Sequence, residues 1–262
     1  PYDDDGSNSQ DRGAIHLLWI TRDGSVKSST RIGYRALGNY DVTNSWAGLN
    51  NQDHFGSGLA SVGDLDNDGM DELAVGSEWS DGSGSYAQSG SNHGSVRVLF
   101  LDKSDATVRS YAWIGPGRMP YYHSGLERQW VHKADAYFGR SVASLGDLDG
   151  DGLPETIGGA YRDSDGGTRR GAAYVVFHSA DGTARSCTKL STLAYKVAGS
   201  NREVVTPLGD GLDEYSYSTS NYYFGYGVGP AGDVNGDGVP DALIGATGAP
   251  SVRKIGMPRV SR

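Results

Sequence analysis

The chain has 262 residues, among them 40 glycines, 16 tyrosines and a single cysteine, and its formal net charge is −9. That length admits one large domain or two small ones, and the acidic balance without any basic stripe argues against a nucleic-acid partner, whose counterions only clustered Lys and Arg displace. No apolar run reaches membrane-spanning length, Cys187 has no partner for an internal disulfide, and the opening PYDDDG, without initiator methionine or signal peptide, reads as a mature or excised piece.

No long window shows an apolar period of 3.6, while turn dipeptides occur throughout, so the expected fold class is all-β with many short strands. Taken in chain order, RGAIHLLWITRDGSVKSSTRI (12–32) is an apolar strand, a turn at Asp23-Gly24 and a returning strand. HFGSGLASVGDLDNDGMDELAVGS (54–77) is a different hairpin, with an aromatic-glycine start, a strand, an acidic loop and a second strand. The two units then alternate. HGSVRVLFLDKSDATVRSYAWI (93–114) and RGAAYVVFHSADGTARSCTKL (170–190) repeat the first; YFGRSVASLGDLDGDGLPETIGGA (137–160) and YFGYGVGPAGDVNGDGVPDALIGA (223–246) repeat the second. Two such hairpins in succession make a four-stranded antiparallel sheet, the size and connectivity of a propeller blade. The chain divides accordingly into 1–53, the second half of a blade plus a long loop; 54–136 and 137–222, each a complete blade plus a long loop; and 223–262, the first half of a blade plus a tail.

The acidic loops carry the chemistry. In D-x-D-x-D-G, alternate side chains of a tight loop can point at one centre while the glycine takes the sharp turn, and unneutralised carboxylates so close together would repel. By position the first loop offers Asp64, Asp66, Asp68, the Met70 carbonyl and Glu72; the second Asp147, Asp149, Asp151, the Leu153 carbonyl and Glu155; the third Asp233, Asn235, Asp237, the Val239 carbonyl and Asp241. Three loops in register, each between predicted strands, point to as many as three Ca²⁺ ions. An EF-hand would need a glutamate at the twelfth position, which here is Gly158, and an apolar run follows instead of a helix. Asn235 replaces a carboxylate, so the third site should be the weakest. The DDDG at 3–6 and the DSDGG at 163–167 are expected to form turns.

With Phe55-Gly56, Phe138-Gly139 and Phe224-Gly225 opening the acidic hairpins, the sequence resembles the FG-GAP repeats of integrin α-subunit propellers and, more closely, the tandem FG-GAP proteins of bacterial and algal surfaces. The resemblance covers somewhat over half of the chain. It implies a β-propeller with calcium between the first and second strands of a blade, and an extracellular or cell-surface location. The interval from Asp64 to Asp147 and on to Asp233 is longer than the family's repeat, and three repeats fall short of the about four to eight blades of a closed ring.

The extra length lies at 33–53, 115–136 and 191–222. These stretches carry Tyr34, Tyr40, Trp46, Tyr121, Tyr122, Trp130, Tyr195, Tyr215 and Tyr217, an aromatic density that suits an ordered interface. Phe55, Phe138 and Phe224 are expected as wedges between blades, His16 and His178 as solvent-facing strand residues, and Cys187 as a small buried apolar residue. No nucleophile sits in a recognisable elbow and the carboxylates are committed to metal, so no enzyme activity is expected. The favoured reading is an extracellular structural or adhesive module whose aromatic loops meet a protein partner or copies of itself. The half-blade edges could also join successive copies into a ring or filament. A carbohydrate-binding propeller, with glycans as the partner, and an accessory domain of a secreted hydrolase are the alternatives.

Overall fold

The computed structural model describes residues 11–33, 49–81, 92–115, 118–119, 135–164, 167–191 and 221–248, and the backbone of 122–123, 126–127, 195–196 and 203–204. These residues are all-β, with no helix among them. The first hairpin pairs β1 (Ala14–Ile20) with β2 (Val26–Gly33). A four-stranded antiparallel meander follows, in the order β3 (Phe55–Gly63), β4 (Glu72–Ser77), β5 (Ser95–Leu101), β6 (Val108–Ile114). A two-residue ladder joins β7 (Tyr122–His123) to β8 (Leu126–Glu127). The second meander runs β9 (Phe138–Gly146), β10 (Glu155–Ala160), β11 (Ala172–His178), β12 (Ala184–Leu190). Another short ladder links β13 (Tyr195–Lys196) to β14 (Glu203–Val204), and the last hairpin pairs β15 (Phe224–Gly232) with β16 (Asp241–Ala246). These are two complete propeller-like blades flanked by two single hairpins. Of the aromatic stretches, Tyr34, Tyr40, Trp46, Tyr121, Trp130, Tyr215 and Tyr217 lie outside the described residues, as do the side chains of Tyr122 and Tyr195 and the DDDG at 3–6.

The recurring glycines explain how one blade meets the next. Gly13, Gly94 and Gly171, just before β1, β5 and β11, form parallel bridges to Phe55, Phe138 and Phe224 of the following sheet. The amides of those phenylalanines donate to the carbonyls of Arg12, His93 and Arg170 at 2.8, 2.9 and 2.9 Å. The approach leaves no room for a side chain, since a Cβ on Gly94 would lie 2.0 Å from the Phe138 carbonyl oxygen. Phe55 and Phe138 are 0% and 1% exposed. Phe55 packs with Ile15 and Ile32 of the preceding hairpin and with Val75 and Leu99 of its own sheet, a wedge at the junction. Phe138 and Phe224 occupy the corresponding clusters further along. At the same end, Tyr137 and Tyr161 of the second blade and Tyr223 of the last hairpin line up across one junction with ring centroids 5.5 and 5.8 Å apart, and the Arg162 guanidinium lies over Tyr137.

His178 corrects an expectation. It is fully buried, with Nε2 2.9 Å from the Thr156 hydroxyl and Nδ1 facing the Gly182 carbonyl, whereas His16 is exposed. Tyr174, Val176 and His178 share one buried face of β11, and Phe177 lies half-buried on the opposite face with Ala173 and Val175. Burial pushes the His178 pKa down to about 4. Cys187 is buried on β12, where desolvation pushes its thiol up to about 12.

Candidate metal centres

Each acidic loop joins the first two strands of a sheet, and a β-bulge at the loop end sets the geometry. The ladder pairs Gly63 with Glu72, Gly146 with Glu155 and Gly232 with Asp241, with a register shift beside each pair. Bulges of this kind re-aim a side chain. In the first two loops the glutamate is carried beneath the loop and fully buried.

The loop itself is built from carboxylate-to-amide bonds. Asp64 accepts from the amides of Asp68 and Gly69 at 3.0 and 2.9 Å, Asp66 Oδ1 from Asp68 at 3.3 Å, and Asp68 Oδ1 from Met70 at 2.9 Å. The second loop repeats this atom for atom. Asp147 accepts from Asp151 and Gly152, Asp149 Oδ1 from Asp151, and Asp151 Oδ1 from Leu153. So does the third, through Asp233, Asn235 and Asp237 to Gly238 and Val239. Glu72 Oε2 accepts from the Leu65 amide and Glu155 Oε2 from the Leu148 amide, both at 2.6 Å, as Asp241 does from Val234 at 2.8 Å.

Two groups of oxygens converge among the described residues. Asp64, Asp66 and Glu72 bring one ligand atom each within 4.8 Å of one another, as do Asp147, Asp149 and Glu155. Asp68 and Asp151 stand outside these groups, turned toward Arg109 and Arg185 respectively. The third loop has an amide where the middle carboxylate would be, and it is more open: Val234 is 74% exposed where the equivalent Leu65 is 0%.

The residues fit a hard divalent cation. Glu72 Oε1 and Glu155 Oε1 are buried and accept no hydrogen bond, which leaves each a lone acceptor aimed into a cluster of carboxylates. Burial, together with the neighbouring aspartates, pushes both glutamates up to about 7 despite the bond each takes from a backbone amide. A cation at the convergence point would reverse that logic by supplying the missing partner and holding every carboxylate ionised. An all-oxygen donor set of this kind suits Ca²⁺ and not the softer, nitrogen- and sulfur-seeking metals.

The DSDGG segment does different work. Asp163 is buried, ion-paired to Lys189 at 2.7 Å and bonded by the Tyr174 hydroxyl at 2.8 Å, so its carboxylate braces β11 and β12 while its amide closes a turn on the Ala160 carbonyl at 3.0 Å. Sequence reasoning did not single out Arg109 and Arg185. Their signal was present in the repeat, because the second position of each outer strand is basic: Lys27, Arg109 and Arg185. No helix among the described residues is long and apolar enough to cross a membrane.

No family model matches the chain. Integrin alpha-5 of Xenopus laevis is 29% identical to it over 153 residues, which are 57% of this chain and 13% of that much longer protein. The chain is therefore similar, over more than half its length, to a small part of an integrin α-subunit.

Proposed function

We propose that the chain is part of an extracellular, calcium-stabilised β-propeller with a structural or adhesive role. The observation that carries this reading is the pair of equivalent loops, each with three converging carboxylates and a buried glutamate oxygen that lacks a partner. Asp64, Asp66 and Glu72 would hold one ion, with Asp68 and the Met70 carbonyl close by in sequence, and Asp147, Asp149 and Glu155 a second, with Asp151 and the Leu153 carbonyl. Asp233, Asn235, Asp237, the Val239 carbonyl and Asp241 would form a weaker third. Bound there, calcium supplies charge neutralisation at the end of a β-hairpin. The similarity to integrin alpha-5 supports a surface location, where calcium is abundant enough to fill loops of modest affinity.

The partner in this reading is a protein met at the end of the blades from which the long connections emerge. Among the described residues β1 pairs only with β2 and β16 only with β15. Each free edge therefore fits a hairpin of the complementary kind, supplied by further blades of a longer polypeptide or by a second copy. The register follows from Ser77 opposite Ser95 and Ala160 opposite Ala172, which places Ala246 opposite the counterpart of Ala14. Native mass measurement distinguishes the two sources.

Thermal denaturation in millimolar calcium and in excess chelator tests the metal reading. A ligand held only by the native state raises the melting temperature, by about 3–4 kcal/mol of stability per site at hundreds of times Kd. Superimposable melting curves would refute it.

A further inference from the structure

The carboxylate oxygens that a cation would take are divided in a regular way. In Asp66 and Asp68 the Oδ1 atoms are committed to the loop's own amides, which leaves the two Oδ2 atoms. One guanidinium nitrogen, Arg109 Nη2, contacts both, Asp68 Oδ2 at 2.9 Å and Asp66 Oδ2 in a very short contact. The second loop has the same division, and Arg185 Nη2 lies 2.5 Å from Asp149 Oδ2, 2.7 Å from Asp151 Oδ2 and 3.9 Å from Glu155 Oε1, which accepts no hydrogen bond. A single positively charged nitrogen thus stands where the free oxygens of each loop meet.

Neither arginine belongs to the loop it enters. Each comes from the outermost strand of its blade, β6 or β12, and reaches back across the sheet over an aromatic ring of the third strand: Arg109 5.7 Å from the Phe100 centroid and Arg185 5.7 Å from that of Phe177. The repeat of ring, guanidinium and paired aspartates in both complete blades makes this a built arrangement. In the first hairpin Trp19 and Lys27 hold the matching positions. At the third loop, no Lys or Arg among the described residues forms an ion pair with Asp233, Asp237 or Asp241.

We infer that Arg109 and Arg185 are displaceable plugs: each neutralises its acidic loop when no cation is bound, and calcium must expel the guanidinium to reach the same Oδ2 atoms. The inference rests on the calcium reading above. Displacement is feasible because both side chains are more than a third exposed, so the pairs are solvent-screened and the freed guanidinium can remain on its aromatic ring. The plugs therefore lower calcium affinity and keep the metal-free hairpin closed. A guanidinium that stayed beside the ion would also lower affinity, by repulsion, but it would keep its carboxylate contacts in the loaded state, so its loss would lower the melting temperature in calcium as well as in chelator.

The test is calorimetric titration of calcium into the wild-type chain and an Arg109→Gln/Arg185→Gln variant, with melting curves in chelator and in saturating calcium. The plug predicts binding about 2- to 5-fold tighter at the first two loops, the range expected for removing one screened ion pair. The third loop should be unchanged, and the melting temperature should fall in chelator only. Unchanged or weaker affinity with wild-type binding intact would overturn the plug and leave the calcium reading standing, as would equal destabilisation with and without calcium. Absence of binding in both proteins would overturn both.

Discussion

Gly159 offers a direct measure of what the blade-to-blade seam contributes. A Cβ at this position would lie 1.9 Å from the Gly225 carbonyl oxygen and 2.8 Å from Ser141 Oγ, and at the equivalent Gly76 the carbonyl of Gly139 is as close. At Gly245, the same position of the third acidic hairpin, the nearest atoms are at 3.6 and 3.7 Å, which is ordinary contact. None of the three glycines has a positive φ, so alanine is compatible with the backbone and the comparison isolates space. The closest obstruction at Gly159 is the Gly225 main chain, which no rotamer change relieves, whereas the Ser141 hydroxyl could turn aside. Neighbouring sheets would have to separate by more than about 1 Å, which places the cost at or beyond the upper end of the usual overpacking penalty, about 3 kcal/mol. For a chain of this size that is a fall of roughly 6–12 °C in Tm. Gly245→Ala should stay within about 0.5 kcal/mol of wild type, as a substitution without a steric conflict does. Differential scanning calorimetry of both variants in calcium decides the matter. A Gly159→Ala protein as stable as wild type, or equal losses in both variants, would refute the argument, the latter because it would locate the cost within the strand and not at the seam.

Glu155 has a folded pKa of about 7 against 4.5 in the unfolded chain, so the metal-free fold binds more protons than the unfolded state between those values. Glu155's contribution to metal-free stability should accordingly be fully present below pH 4.5, be lost as pH rises to 7 and level off above it, and Glu155→Gln should remove that pH dependence while abolishing calcium binding at its loop. His178 acts in the opposite sense. Its folded pKa of about 4 lies below the unfolded 6.5, so stability is complete above pH 6.5 and declines toward pH 4, by up to about 3 kcal/mol that His178→Gln should abolish in denaturant titrations. Asp149→Ala should weaken calcium at the second loop by about tenfold or more, and by more than Asn235→Ala weakens the third, because only the former removes a formal charge; equal losses in calorimetry would contradict this.

The blades were legible because both hairpins recur in register, and an error in one copy is exposed by the other two. Of the aspartates in the D-x-D-x-D-G spacing, Asp64, Asp66, Asp147 and Asp149 converge with Glu72 and Glu155, whereas Asp68 and Asp151 stand outside those groups. What escaped was decided across the sheet. His178 was misplaced because it was read together with His16 on the equivalent strand, although His16 is the third residue of β1 and His178 the last of β11. In the folded blade Phe177 lies under the Arg185 guanidinium, while His178 finds Thr156 on the neighbouring strand. Arg109 and Arg185 were overlooked for a different reason. Each lies about forty residues from the aspartates it meets, 43 for Arg109 to Asp66 and 36 for Arg185 to Asp149, and only the stacking of four strands closes that distance.

The three loops have nearly the same local hydrogen bonds, yet only two bury their last carboxylate. Glu72 and Glu155 are 0% exposed, and Leu65 beside the first lies in a core cluster with Val96, Val98 and Phe100 of the outer hairpin. Asp241 is half-buried and Val234 largely exposed, in a sheet for which only the inner hairpin is described. Loop sequence therefore accounts for the cradle of amides, whereas the low-dielectric floor that makes a partnerless glutamate oxygen costly comes from the second hairpin. The same hairpin carries the arginine. Completing a blade thus gives the acidic loop two things at once, a buried acceptor that favours a cation and a guanidinium that competes with it. In the calcium reading, affinity is consequently a property of the whole four-stranded sheet, and the third loop would gain affinity on acquiring β-strands equivalent to β5 and β6.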